Sequence, residues 1–191
     1  MPRIDAQRNI DALLAAAKEE FTAQGVDVHV RAIAARAGVG TATLYRHFPL
    51  RSDLVSAVFR REIDACAAAA PVLAAASRDP DEALELWLQR YTDFVATKHG
   101  LAAALHSGDP AFNALPAYFR EHLGPALHML LENAEAAGAV RAGVDPHELL
   151  GAVANLCIPP PGSDDASRAH RMIALLMDGL RYGAHAPRPA T

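Results

Sequence analysis

Seven consecutive residues, Thr41 to His47, bring together two hydroxyls, a phenol, a guanidinium and an imidazole. This set suits hydrogen bonding to base edges and phosphates better than it suits bond-making. On a helix, Leu44 and the following Phe48 turn inward, leaving Thr41, Ala42, Thr43, Tyr45, Arg46 and His47 outward. Such a helix fits a DNA major groove, about 12 Å wide. A methyl of Ala42 or Thr43 suits a thymine methyl and Arg46 can take guanine O6 and N7 together, so these three are the candidates for base edges.

Other groupings of reactive residues offer less. His106-Ser107-Gly108-Asp109 holds the residue types of a nucleophile and its base, but neighbours in a turn point apart, and such groups must meet at about 3 Å. There is no G-x-S-x-G, no phosphate-cradling glycine loop and no Cys-His pairing at a recognisable register, so no enzyme activity is expected. His99 with His106, and His122 with His128, lack the H-E-x-x-H, paired cysteines or acidic cluster that would complete a metal site. Nothing calls for a metal or other cofactor. Cys66 and Cys157 lie far apart in apolar surroundings and read as packed thiols, with a redox pair as the alternative.

The outward helix must be held by a partner before it. Ile33, Ala34 and Ala37 fall on one face of a helix beginning near Val30, away from Arg31, Ala35 and Arg36. Gly38 ends it, taking the left-handed conformation of a tight turn, and Val39 is expected as a buried plug. Ahead lies a helix from about Gln7 to Gln24, striped by Ile10, Leu13, Leu14, Ala17 and Phe21 and ended by Gly25. Asp27 or His29 is expected to cap the second helix. After Phe48-Pro49, the residues Leu54, Val55, Val58, Phe59 and Ile63 mark a fourth helix to about Ala76, a rod whose tilt can move what it carries.

IAARAGVGTATLYRHFPLRSDL is similar to the N-terminal motif of the tetracycline-repressor (TetR) family, and the resemblance covers about residues 7 to 60. It implies a helix-turn-helix in which Tyr45, His47 and Arg51 touch phosphates, with Arg31 and Thr41 also near the DNA backbone. Three positions depart from the pattern: Gly40 where a capping Ser is common, Leu50 where Ser or Asn is common, and Arg51 where Lys is common. Thr41 or Ser52 can supply an oxygen in place of the missing caps.

The whole chain is consistent with this. Its 191 residues are 51% hydrophobic, few are aromatic and Ala dominates, which suits packed helices. The net charge of −4 conceals an asymmetry. Residues 1 to 60 carry eight Lys/Arg against six Asp/Glu, and the remainder ten against sixteen, as a DNA-binding head on an acidic body would. MPRIDAQRNIDALL is broken by charge and no apolar run reaches the roughly 20 residues of a membrane span, so a soluble cytoplasmic protein is expected.

The body reads as further helices: Ala83 to Lys98, a short one over Leu101 to His106, a long one from about Pro116 to Gly138, one after Asp145-Pro146, and a last from about Asp165 to Gly183. Ser107 to Pro110 is a turn and Ile158 to Ser163 a stiff loop. The expected fold is therefore all-α with about nine helices. Residues 1–50 form a three-helix head, 51–184 a helical ligand-binding and dimerisation domain, and 185–191 a disordered tail. WLQRYTDFVATKHGLAAAL and ENAEAAGAVRAGVDPHELL also look like the regulatory domains of some TetR members.

Trp87, Tyr91, Phe94, Phe112, Phe119, His122 and Met129 are either plain core or the wall of a pocket for a small effector, hydrophobic or aromatic by its lining. One helix-turn-helix reads few base pairs, so two heads on a two-fold axis and a palindromic double-stranded operator are expected, with half-site centres about 34 Å apart or a multiple of that. Leu149, Val153, Leu176 and Leu180 on the last two helices are the interface candidates, or they complete a core within one subunit. As in the family, they would build a four-helix bundle across a homodimer. The reading is a DNA-binding regulator, most simply a repressor; the alternative is an all-α ligand-binding or enzymatic bundle whose head does not bind DNA.

Overall fold

The computed structural model describes residues 2–100, 107–156, 158 and 167–182, with the side chains of 2–5 and 96–100 left aside. All regular structure among these residues is helical: α1 (Pro2–Gln24), α2 (Val30–Arg36), α3 (Thr41–His47), α4 (Arg51–Ala76), α5 (Pro80–Gly100), a 3-10 turn (Pro110–Phe112), α6 (Leu115–Ala136), α7 (Pro146–Leu156) and α8 (Ser167–Tyr182). The helix expected over 101–106, Cys157, the loop after Ile158 and the tail 185–191 lie outside the described residues. Helix α1 starts at Pro2, earlier than the expected Gln7, because proline is well tolerated in a first turn where its missing N–H costs nothing. No described helix is long and apolar enough to cross a membrane.

The chain divides into two compact units, the first Met1–Glu62 with Thr97–Tyr118, the second Ile63–Ala96 with Phe119–Thr191. In the first, Leu13, Ala17 and Phe21 of α1, Ile33 and Ala34 of α2, Leu44 of α3 and Leu54, Val55 and Val58 of α4 are all buried and make up its core. Two polar ties hold α1 to α4: Lys18 Nζ lies 2.6 Å from Glu62, and Arg61 donates to the Asp11 carbonyl at 2.7 Å. The segment after residue 106 is tied to α4 as well. Ser56 Oγ lies 3.5 Å from the Ala111 carbonyl, and the Arg60 guanidinium sits 4.9 Å above the Tyr118 ring.

The second unit is built on an aromatic ladder. Trp87 stacks on Tyr91 and Tyr91 on Phe94, each at 5.9 Å between ring centroids, and Phe119 of α6 joins Phe94 at 5.9 Å and Tyr91 at 6.2 Å. The ladder's polar ends are satisfied inside the unit: Trp87 Nε1 donates to the Cys66 carbonyl at 2.9 Å and Tyr91 Oη to that of Leu150 at 3.2 Å. Helix α8 is pinned to α5 by Arg181, whose guanidinium donates to Asp81 and Glu85, both at 2.8 Å. Burial works to lower the Arg181 pKa, yet hydrogen bonds to these two carboxylates hold it above its ordinary value.

Candidate nucleic-acid interface

The turn between α2 and α3 is made by the backbone. Gly38 has φ +69°, its N–H donates to Ala35 O at 3.1 Å, and Val39 N–H reaches Ala34 O at 3.0 Å. These two bonds form a Schellman motif, which needs a residue at ease with positive φ. Val39 is half-buried, not the buried plug expected, since hydrogen bonds and not its side chain close the turn.

Helix caps depart from expectation in the same way. The N-cap of α2 is His29 and that of α3 is Gly40, and neither makes a side-chain cap bond. At the start of α4, the Leu50 N–H is taken by Asp53 Oδ2 at 3.0 Å, three residues on, so Asp53 does what Ser52 was expected to do.

Leu44, 1% exposed, anchors α3 in the head and fixes which way the helix faces. Ala42, Tyr45 and Arg46 are exposed, Tyr45 at 52%, while Thr41, Thr43 and His47 are half-buried. Tyr45 and Thr41 join His29, Val30 and Arg31 around an open notch of about 650 Å³. The structure thus gathers Arg31, Thr41 and Tyr45 at one place, with Ala42, Thr43, Arg46 and His47 on the same short helix. Arg51 is engaged elsewhere: its guanidinium donates to the carbonyls of Val26 and Val28, the second at 2.9 Å.

Sequence reasoning missed the pair that squares α2 on α1. Glu20 of α1 is 4% exposed and accepts from Arg36 Nε, while Gln24 Nε2 reaches its other oxygen at 2.6 Å. Arg36 Nη1 also meets Glu19 at 2.9 Å. The hydrogen bond to Glu20 leads the causes that raise the Arg36 pKa. A signal existed: Leu13, Ala17 and Glu20 share a helical face, so the glutamate lay on the buried side.

Among the candidate effector residues, Trp87, Tyr91, Phe94 and Phe119 come together in the ladder, and half-buried His122 and Met129 share α6 with Phe119. Phe112 belongs to the first unit, where it helps to line a notch of about 380 Å³ with Val26, Arg51, Ser107 and Asp109. Among the described residues no group of three or more His, Cys, Asp or Glu could hold a metal. His122 faces Asp64 at 3.9 Å and His128 faces Glu132 at 3.1 Å, while the side chain of His99 and all of His106 are not described.

The four interface candidates read from sequence either as a dimer seam or as core within one subunit. Leu149, Val153 and Leu180 are 5%, 0% and 7% exposed within the single chain, so they pack its own core, and Leu176 is half-buried. The opposite faces of the same two helices are open. Leu156 of α7 and Leu175 and Tyr182 of α8 are exposed, beside exposed Gly151, Ala152 and Gly179.

Two family models match the chain. One described as bacterial regulatory proteins, tetR family, covers residues 13–58, and one described as the C-terminal domain of SbtR-like transcriptional regulators covers residues 79–182. A TetR transcriptional regulator of Streptomyces coelicolor is 35% identical over 90% of this chain and 98% of its own, with a TM-score of 0.77. A TetR transcription regulatory protein of Mycobacterium vanbaalenii is 34% identical over 95% and 99%, at 0.71. The regulator RolR, solved in complex with its ligand resorcinol, is 18% identical over 98% of each chain at 0.57, a likeness of fold alone. No curated protein matches the chain.

Proposed function

This chain belongs to the TetR family of DNA-binding transcriptional regulators, and we propose that it works as a dimeric repressor, released from a palindromic operator by a small hydrophobic or aromatic effector. The family's members bind DNA and small molecules, typically as dimers, and are generally not enzymes. We extend each of these properties to this chain, together with residence in the cytoplasm.

The observation that carries the proposal is the outward face of α3. A seven-residue helix anchored by one buried leucine exposes Ala42, Tyr45 and Arg46 next to a notch containing Arg31. In our reading Ala42, Thr43 and Arg46 meet base edges, and Tyr45, His47, Thr41 and Arg31 meet phosphates and sugars. Residues 1–50 are then the DNA-binding head, 51–184 the ligand-binding and dimerisation body, and 185–191 a tail.

For the effector we favour the ladder of α5 and α6, with His122 and Met129 further along α6. Trp87 and Tyr91 direct a polar atom each to a backbone carbonyl, so the ladder offers chiefly ring faces and suits an apolar or aromatic guest. For the dimer we favour the open faces of α7 and α8. Leu175, Gly179 and Tyr182 follow the i, i+4, i+7 spacing of one stripe, and Gly151 and Ala152 allow close approach of a second copy. Helix α4 contributes residues to each unit, and a coupling of about 1–3 kcal/mol between effector and DNA would make a useful switch.

Selection of binding sites from random duplexes with the purified chain tests the proposal. Recovery of a palindrome is the expected result. No enrichment over competitor DNA would favour an all-α ligand-binding or enzymatic bundle with an idle head.

A further inference from the structure

Arg51 opens α4 at a place where a cation is disfavoured, because the helix dipole puts partial positive charge at the N-terminus. Its guanidinium nonetheless has a defined position, forked across the carbonyls of Val26 and Val28. Both belong to the linker between α1 and α2, and both have buried side chains. The linker leads to an α2 whose N-cap, His29, makes no side-chain cap bond. Val30 and Arg31, the next residues, line the notch shared with Thr41 and Tyr45. An arginine fork meets two carbonyls in a geometry that the single point charge of lysine does not reproduce.

We propose that Arg51 is a positioning residue for DNA reading: it latches the linker between α1 and α2, and so sets where α2 presents Arg31, instead of contacting a phosphate itself. The proposal rests on the DNA-binding reading for its consequence, though not for the latch. The latch gives a task to the arginine that stands where lysine is common in the resembling motif. It also supplies, through a side chain from α4, the restraint that the absent cap of α2 does not.

The test compares full-length wild type with Arg51→Gln and Arg51→Lys in two measurements. In free protein, amide hydrogen exchange over residues 25–32 is expected to quicken about tenfold in both variants, since both lose the fork. On a duplex carrying the selected site, affinity is expected to fall about tenfold in both, with the slope of log K against log salt as in wild type. Unchanged exchange in free protein overturns the latch. So does a salt slope reduced by about 0.9 in Arg51→Gln together with full affinity in Arg51→Lys, which is the signature of one lost phosphate contact. If wild type selects no duplex, the regulator reading fails and the exchange data still decide the latch.

Discussion

The buried carboxylate of Glu20 on α1 is held by Arg36, in the last turn of α2, so the two helices of the head are joined by a charge pair on top of their apolar contact. Arg36 is itself well exposed, at 48% of its side chain, and the pair is closed on one side only by protein. Its value lies in geometry: a nearly buried carboxylate demands a partner, and this partner comes from one end of the element that leads into the turn.

Glu20→Gln is therefore expected to lower the melting temperature by several degrees and to weaken DNA binding, as α2 loses its fixed seat. The Arg36 side of the pair sets the pH behaviour. Its pKa is raised in the folded state, so its contribution is complete below the unfolded value and lost only as pH climbs through the folded one, far above neutrality. The difference between wild type and variant should stay flat across neutral pH in thermal melts, and a steep slope there would show that another group governs the pair.

Tyr45→Ala separates reading from folding. With Tyr45 52% exposed, the substitution should change stability by no more than about 0.5 kcal/mol while reducing affinity for the selected duplex at least tenfold. Fluorescence anisotropy at matched salt checks this. Unchanged affinity would mean that the outward face of α3 does not meet DNA.

Leu175 and Val153 make opposite predictions from neighbouring helices. Leu175→Arg places charge on a residue 65% exposed, so the subunit should stay folded and sediment as a monomer. Val153→Ala opens a cavity in a fully buried site, costing roughly 2 kcal/mol in denaturant unfolding and leaving the dimer formed. A Leu175→Arg dimer as tight as wild type would move the interface elsewhere.

Trp87 is the single tryptophan and is fully buried, so tryptophan emission, excited selectively over that of the tyrosines, reports on the aromatic ladder. Any compound that releases the chain from its operator should alter that emission on titration. An effective compound that leaves it untouched would place the effector site away from the ladder. Trp87→Phe keeps most of the packing but leaves the Cys66 carbonyl without its indole donor, with an expected loss of about 1–2 kcal/mol.

Local pattern alone determined the helices of the head, the turn at Gly38 and the outward face of α3, because each depends on residues within a few positions of one another. Leu44 and Phe48 against Tyr45 and Arg46 is a periodicity, and a glycine at positive φ is a local demand. Tertiary structure decided what lay between distant segments. Helices α7 and α8 are apolar on more than one face, so spacing could not say that Leu149, Val153 and Leu180 turn into the subunit while Leu156 and Leu175 turn out. The resemblance made Arg51 a phosphate contact and the helical pattern only turned Arg36 away from the core; the packed chain brings the Val26 and Val28 carbonyls within reach of the first and the Glu20 carboxylate within reach of the second, because these partners lie 16 to 25 residues away in sequence.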